Sequence, residues 1–538
     1  MKNEASFAKT CERDDKPNRL TSKGRLNESF SSVCVFLTTL LAPEIARGQA
    51  QAEAVVLPLT QAICQLVQNF LLEPITPETA FEFERQLQQR LQDAGRQLLE
   101  QLYNSLEPEE ADALPKQVES EHQVFSRKNQ KTFARSRVGT LFGEIVLTRF
   151  SYEPLSEARE AGRKSFSPLE QSLGIVAGHA SPALAERVGR EASDKTQAEL
   201  LDWLKREHGV SWSVETLRAV TQAVSEGIAE HQHDAQKSQL LAWLHEADQS
   251  KGRRKIVLAV GRDGVMLPIR GEPTYKEGAV ATVTVYDRRG RRLGTTYLGA
   301  MPEAYQTSLS DQLTRLVKEV LTAWEGPWPR LVYVTDAGYH PTDYFQNTLS
   351  QLEHPRHPGC LMNWVRIVDY YHACEYLAKL AHVLFDEAPQ VHAWLSRMRK
   401  RLKHEPNAVF RILHSAAYYR SQQVLTEAEE KTYQKAYAYL EGYRAYMDYT
   451  TYRSLGLPIG SGVTEAACKT VFTQRFKCSG MSWSLDGGQT ILRLRLAKLS
   501  RIWDTLYRKS LAPISPTRVI TKKTTNPCQT CQLPAKAA

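Results

Sequence analysis

The sequence predicts a multidomain α/β protein. Three observations point there. Helical periodicity dominates the first 240 residues. Strands alternating with helices begin at Lys255. An almost wholly helical stretch, about 371–456, then interrupts that alternation before a Gly-Ser-Gly turn at Gly460–Gly462. Composition agrees: 42% hydrophobic and 24% charged residues in a chain of 538 argue against a fibrous or wholly disordered polypeptide. Net charge is +9, with acids gathered over Glu107 to Glu121 and a basic second half. A localised basic surface suits a nucleic-acid partner. The nine cysteines are odd in number and scattered, which reads as reduced thiols and a cytoplasmic protein. No continuous apolar run reaches the ~20 residues of a membrane span, so no membrane partner is expected.

In chain order, residues 1–32 read as a disordered leader and 33–130 as a helical region. Val33 to Ala42 is expected to be a short buried helix. Thr76-Pro77 is a helix start. Phe83, Leu87, Leu91, Ala94, Leu98 and Leu102 then form one apolar stripe, fit either to pack within its own domain or to serve as a coiled-coil dimer seam. Residues 131–165 hold a predicted β-hairpin over Ser136 to Tyr152 and a linker. Residues 166–240 fit three helices, started by Ser181-Pro182, Ser193 and Ser213, the second stopped by Gly209. That pattern suits a helix-turn-helix with Glu215, Arg218, Thr221 and Gln222 exposed, and equally any small helical bundle.

Residues 241–510 form the predicted catalytic domain and 511–538 a tail with a lone Cys528/Cys531 pair. KIVLAVGRDGVML, Ala279 to Tyr286 and Arg292 to Leu298 read as an antiparallel meander with a turn at Asp287 to Gly290. Gln306 to Trp324 is an amphipathic helix, Leu331 to Val334 a buried strand, and Val365 to Val368 another, after a helix from Pro341. The periodicities supply only the order β-β-β-α-β-α-β-α, which resembles the layout of the ribonuclease H-like fold. In the helical stretch, Arg397, Arg399, Lys400, Arg401, Lys403 and His404 surround Met398 and Leu402 with no acid between, as on a phosphate-gripping helix.

Three acids stand out. Asp263 interrupts an apolar strand, although Asp-Gly also suits a turn. Asp336 follows a buried strand, where a capping role is the plain alternative. Glu465 is a lone acid among bases: from Ala466 to Lys509 there are nine Lys or Arg, including Lys469, Arg475 and Lys477, against Asp486 and Asp504. An exposed Glu465–Lys469 pair would suffice to explain it. The helical wheel instead places Glu465 with Phe472 and Phe476, leaning inward. Acids converging on one spot repel unless a hard cation joins them. Asp248 competes with Asp263 as first acid. Free amides at Gly460–Gly462 suit a phosphate, with Ser461 as a plain N-cap the simpler reading. Trp483 fits core packing or base stacking.

Asp263-Gly264-Val265-Met266-Leu267-Pro268, Val334-Thr335-Asp336-Ala337-Gly338, Asp369-Tyr370-Tyr371-His372-Ala373-Cys374 and Gly460 to Lys469 resemble signature blocks of ISKra-type insertion-sequence DDE transposases, over roughly 167–503. The resemblance implies a ribonuclease H-like catalytic domain with an all-α insertion. It implies Asp263, Asp336 and Glu465 as a catalytic triad holding two Mg²⁺ ions, for which Mn²⁺ substitutes. It places Asp369 and His372 near the active centre in an accessory role. The implied reaction is DNA strand cleavage and transfer at double-stranded transposon ends and target, by a homodimer or larger assembly at the nucleoid of a prokaryote. Relatives carry a cysteine pair before Ser167-Pro168-Leu169 that this chain lacks. A transposase-derived regulator without chemistry and a nuclease that never joins DNA are the competing readings.

Overall fold

The computed structural model describes residues 27–120, 123–133, 137–155, 165–511 and 518–519, the side chains of 27–47, 120, 123, 133 and 518–519 excepted. The leader before Asn27 and the Cys528/Cys531 pair lie outside these residues. The chain divides into two compact units, Met1–Ser105 and Leu106–Ala538.

The first unit pairs α1 (Asn27–Leu72) with α2 (Pro77–Ser105). Thr76 starts α2 as expected, its Oγ1 accepting the Thr79 amide at 3.2 Å. The rings of Phe70 and Phe83 meet at 4.6 Å. None of the α2 side chains is buried, so the stripe from Phe83 to Leu102 is only partly covered within the unit. The length of α1 corrects the sequence reading. Residues 27–32 are helical rather than leader, and Val33 to Ala42 is continuous with them. Gly48–Leu72, 25 residues, is long and apolar enough to cross a membrane by length and composition. Scattered Gln, Asn and Thr break its apolar run, but the residues between them keep the segment apolar as a whole.

The second unit opens with short strands β1 (Gln117–Ser120), β2 (Gln123–Arg127), β3 (Thr132–Phe133), β4 (Val138–Thr140), β5 (Gly143–Ile145), β6 (Thr148–Arg149) and β7 (Tyr152–Pro154). The expected hairpin is realised only in β4–β5, turned at Leu141 and Phe142 just before Gly143, whose φ is 122°. β6 and β7 pair instead with β3 and β2.

Helices α3 (Pro168–Ser172), α4 (Pro182–Ala192), α5 (Gln197–His208) and α6 (Val214–Gln249) come next. Ser181 and Ser213 cap as predicted, and Gly209 ends α5 in the left-handed region at φ 61°. Ser193 closes α4 rather than opening α5. Thr196 does that, in a reciprocal capping box with Glu199. α6 differs most from expectation. Its 36 residues run through the boundary drawn at 240, and Leu240, Trp243, Leu244 and Ala247 enter the core of the sheet. Thr221 is buried, its hydroxyl donating to the Leu217 carbonyl, whereas Glu215, Arg218 and Gln222 are exposed.

The main sheet contains β8 (Val257–Leu267), β9 (Lys276–Tyr286), β10 (Arg292–Ala300), β11 (Arg330–Thr335) and β12 (Trp364–Val368), in the order β10-β9-β8-β11-β12. The first three strands form the antiparallel meander, and β11 lies parallel to both β8 and β12. α7 (Thr307–Ala323) and α8 (Tyr339–Asn347) make the crossovers. Alternation sorts the two faces. Leu258 and Val260 pack with α6 and α7, whereas Ala259, Val332 and Val334 join the opposite core. That second face is covered by α9 (Tyr370–Leu384), α10 (Ala388–His404), α11 (Ala408–Arg420), α12 (Glu427–Gly442) and α13 (Tyr449–Ser454). Leu377, Trp394, Met398, Leu402 and Leu440 supply the contact. Beyond them come α14 (Gly462–Ala467), a π-helical segment Cys468–Thr473, α15 (Gln474–Phe476), α16 (Leu485–Leu499) and α17 (Trp503–Ser510). Leu494, Ala497, Trp503 and Leu506 close the core of α4–α6, which is therefore no free-standing bundle.

Candidate active site

Asp263 lies within β8, opposite Val280 of β9, and not at a turn. Its Oδ1 accepts the Gly264 amide at 2.7 Å, and the Cys468 thiol donates to its Oδ2 at 3.2 Å. Burial pushes its proton affinity up. The two hydrogen bonds oppose that shift, and the charges of Asp336 and Glu465 add to it. Three segments far apart in sequence therefore bring their carboxylates within electrostatic reach. Asp248, the competing first acid, sits at the end of α6 and pairs with Arg288 at 2.5 Å, a structural tie.

Asp336 follows β11 on a strained turn. Ala337 holds φ at 66°, a conformation rare for a residue with a Cβ. Four hydrogen bonds hold the turn. Asp336 Oδ1 accepts the Gly338 amide at 2.9 Å, and Thr335 Oγ1 accepts that of Ala337 at 3.3 Å. The hydroxyls of Tyr439 and Tyr443 reach in from α12 and just beyond to the carbonyls of Asp336 and Ala337, at 2.8 and 3.2 Å. The helical segment of α12 thus supports the second acid directly.

Glu465 belongs to the first turn of α14. Thr464 locks that helix to the sheet, its Oγ1 lying 2.8 Å from Thr282 Oγ1. It fits because Gly261 has no side chain: a Cβ there would stand 2.0 Å from Thr464 Oγ1. Glu465 itself is exposed and does not lean inward with Phe472 and Phe476, which are buried. The π-helical segment lies between, so the ordinary helical wheel fails there. Glu465 Oε1 lies 2.8 Å from Ser461 Oγ.

Asp369 is wholly buried at the start of α9. Its Oδ1 accepts the His372 amide at 2.8 Å, and its Oδ2 accepts both the Ser461 amide and the Ser461 hydroxyl, the latter at 2.6 Å. Its own amide donates to the Thr335 carbonyl at 2.8 Å. Asp369 therefore links the Asp336 turn to the Glu465 helix. The Ser461 amide is not free for a phosphate, and the Ser461 side chain makes no N-cap bond. The His372 ring approaches Glu375 at 3.4 Å and meets Tyr376 and Tyr439 edge-on.

The basic residues divide. Arg397, Arg399 and Lys400 are exposed on α10 while Met398 and Leu402 face the core. Arg401 pairs with Glu405 at 3.1 Å, and Lys403 lies over the Tyr370 ring at 5.3 Å, beside Asp369. Lys469 and Lys477 are exposed. Arg475 is not available to DNA: it is 3% exposed, bonded to the Ala192 carbonyl and stacked on Trp483. Arg495 and Lys498 are likewise spent on Asp194. Trp483 packs against Phe476 and donates to its carbonyl at 3.0 Å, the core role. Arg218 is exposed, with Gln197 Oε1 3.2 Å away.

Oxygen-only donors at Asp263, Asp336 and Glu465 suit a hard divalent cation, and the raised proton affinity of Asp263 marks a set that such a charge would relieve. As the side chains stand, no three His, Cys, Asp or Glu among the described residues are gathered closely enough to hold a metal ion. Cys468, Tyr439 and Tyr443 were not singled out from sequence, and Ser461 was read there only as a helix cap. Cys468 sits three residues from Glu465, a helical spacing that could have flagged it. Nothing periodic marks where a tyrosine hydroxyl ends.

Fold and site define a mixed α/β protein in which acids on β8, after β11 and on α14 come within electrostatic reach, with helices α9–α13 covering one face of the sheet. Over 384 residues, 70% of this chain and 75% of the relative, the sequence is 24% identical to the UPF0236 protein in the vanSb 3′ region of Streptococcus gallolyticus. That name gives a location and no activity. No protein-family model matches the chain.

Proposed function

We propose that this chain is a DDE-type DNA transposase with a ribonuclease H-like catalytic domain. The observation that carries the reading is topological. The strand order 3-2-1-4-5 puts Asp263 on the first strand of the meander and Asp336 at the end of the adjoining parallel strand, with Glu465 returning after the insertion. Asp263, Asp336 and Glu465 would hold Mg²⁺ or Mn²⁺. Bound there, such ions supply an activated water or 3′-hydroxyl and neutralise the leaving oxygen. The chain's own part is to hold the acids. Gly264 and Cys468 orient Asp263, Tyr439 and Tyr443 fix the Asp336 turn, and Thr464 seats the helix of Glu465.

Exposed Arg397, Arg399, Lys400, Lys469 and Lys477 are suited to backbone phosphates of the transposon ends and target. Two ends call for at least two protomers, and the partly covered stripe of α2 is suited to join them. Incubation with Mg²⁺ and a labelled terminal-repeat duplex tests the reading. Joined products are expected. Cuts without joining would leave a nuclease, and a bound but intact duplex a regulator.

A further inference from the structure

Ser461 carries one hydroxyl hydrogen and faces two carboxylates, Asp369 Oδ2 at 2.6 Å and Glu465 Oε1 at 2.8 Å. A hydroxyl donates once. With both acids ionised, one of these contacts lacks a proton and sets lone pair against lone pair. Asp369 is fixed: it is wholly buried and is also held by the amides of His372 and Ser461. Glu465 is exposed and keeps its rotamer freedom. In this arrangement no three acids among the described residues are close enough to bind a metal ion.

We propose that Ser461 is a two-position switch for Glu465, with Asp369 as its fixed counterpart. The inference rests on the reading of Glu465 as a cation-binding acid. With the site empty, the hydroxyl holds Glu465 Oε1 and Asp369 keeps its two amide bonds. When Glu465 turns toward Asp263 and Asp336, the hydroxyl hydrogen passes by rotation about the Cβ–Oγ bond to Asp369. The covalent O–H bond stays intact while its hydrogen bond moves from Glu465 to Asp369, so the Ser461 hydroxyl stays paired. The release of Glu465 is offset only in part, because Asp369 already accepts two amides and gains less from a third donor than Glu465 loses. Asp369 and Ser461 act through Glu465 and are positioning residues. They also tie the switch to the Asp336 turn, through the Asp369 amide on the Thr335 carbonyl.

The test is Mn²⁺ binding to the full-length protein, monitored by electron paramagnetic resonance, with thermal midpoints and circular dichroism as fold controls. Ser461→Ala removes the competing hydroxyl and nearly preserves volume. It should tighten Mn²⁺ binding on the order of three- to tenfold, the scale of one net hydrogen bond. The same substitution in a Glu465→Ala background should change nothing, because the switch has lost what it moves. Weaker or unchanged binding in Ser461→Ala, or an equal effect in both backgrounds, overturns the switch while leaving Glu465 as a cation ligand. Wild-type protein that binds no Mn²⁺, or binds it equally without Glu465, overturns the switch and the cation-site reading together.

Discussion

Asp263 is a carboxylate whose position opposes folding. Its proton affinity is raised chiefly by burial, and the Asp336 and Glu465 charges add to that. The sign comes from linkage. A carboxyl whose folded value lies above its unfolded value contributes most when protonated, and that contribution is lost as pH rises through the folded value. Asp263→Asn should therefore abolish strand cleavage yet raise the thermal midpoint at neutral pH in chelator-treated buffer, by a free energy on the order of 1 kcal/mol. The gain should shrink as pH falls toward the ordinary aspartate range, about 4. Added Mg²⁺ should stabilise the wild type and not the variant. Calorimetry across pH, with and without cation, measures this, and a variant less stable than wild type at neutral pH would contradict the burial argument. A second residue-scale strain lies one step from Asp336. Ala337 sits at φ 66°, which glycine adopts freely. Ala337→Gly should leave stability unchanged or improve it by up to ~1 kcal/mol, despite the entropy glycine adds to the unfolded chain. Loosening of the turn should show as a lower kcat for cleavage.

At the scale of elements, the decisive contact is α14 on β8. Thr464 occupies the space that Gly261 leaves open, and the packing fixes where Glu465 emerges relative to Asp263. Gly261→Ala should cost about 1–3 kcal/mol by overpacking. Because it displaces the helix that bears Glu465, it should also lower strand cleavage far more than stability alone explains. Adding Thr464→Ala removes the 2.0 Å clash but leaves the two Cβ atoms 3.2 Å apart and the buried Thr282 hydroxyl without its partner, so the double variant should recover part of the lost stability in urea unfolding; no recovery at all would place the strain elsewhere. This contact also shows what sequence could and could not disclose. The strands of the meander and the buried β11 were legible because period-two alternation and apolar runs are local signals. Asp263 and Asp336 were legible as charges out of place on those strands. The orientation of Glu465 was not, because a π-helical segment turns the residues beyond it out of the ordinary helical register and no local rule announces one. Nor was the continuity of α6, whose second half is helical through packing against the sheet. The reciprocal cap at Thr196 displaced the predicted start at Ser193 because Glu199 completes a box there.

At the scale of the whole molecule, net charge is a poor guide to which cations meet DNA. The basic run after Glu465 reads as one phosphate-binding stretch, but folding divides it. Arg475 and Arg495 are buried and serve the joint between the C-terminal helices and residues 192–194. Lys469 and Lys477 stay exposed, as do Arg397, Arg399 and Lys400 on the outer face of α10. The two groups should respond oppositely to substitution. Each phosphate contact contributes a slope of about −0.9 to log Kobs against log salt concentration on duplex DNA, through release of condensed counterions. Lys400→Ala and Lys469→Ala should each weaken duplex binding at low salt and reduce that slope by about one, with thermal midpoints unchanged. Arg475→Ala should instead cost roughly 2 kcal/mol or more, since the Ala192 carbonyl and the Trp483 face lose their partner. Its salt slope, measured at a temperature where the variant is folded, should match that of the wild type. Fluorescence anisotropy on a duplex of arbitrary sequence, titrated at several salt concentrations, separates the two behaviours. A slope that falls with Arg475→Ala but not with Lys469→Ala would mean that the exposed lysines are not what meets DNA, and their proposed assignment to backbone phosphates would fall.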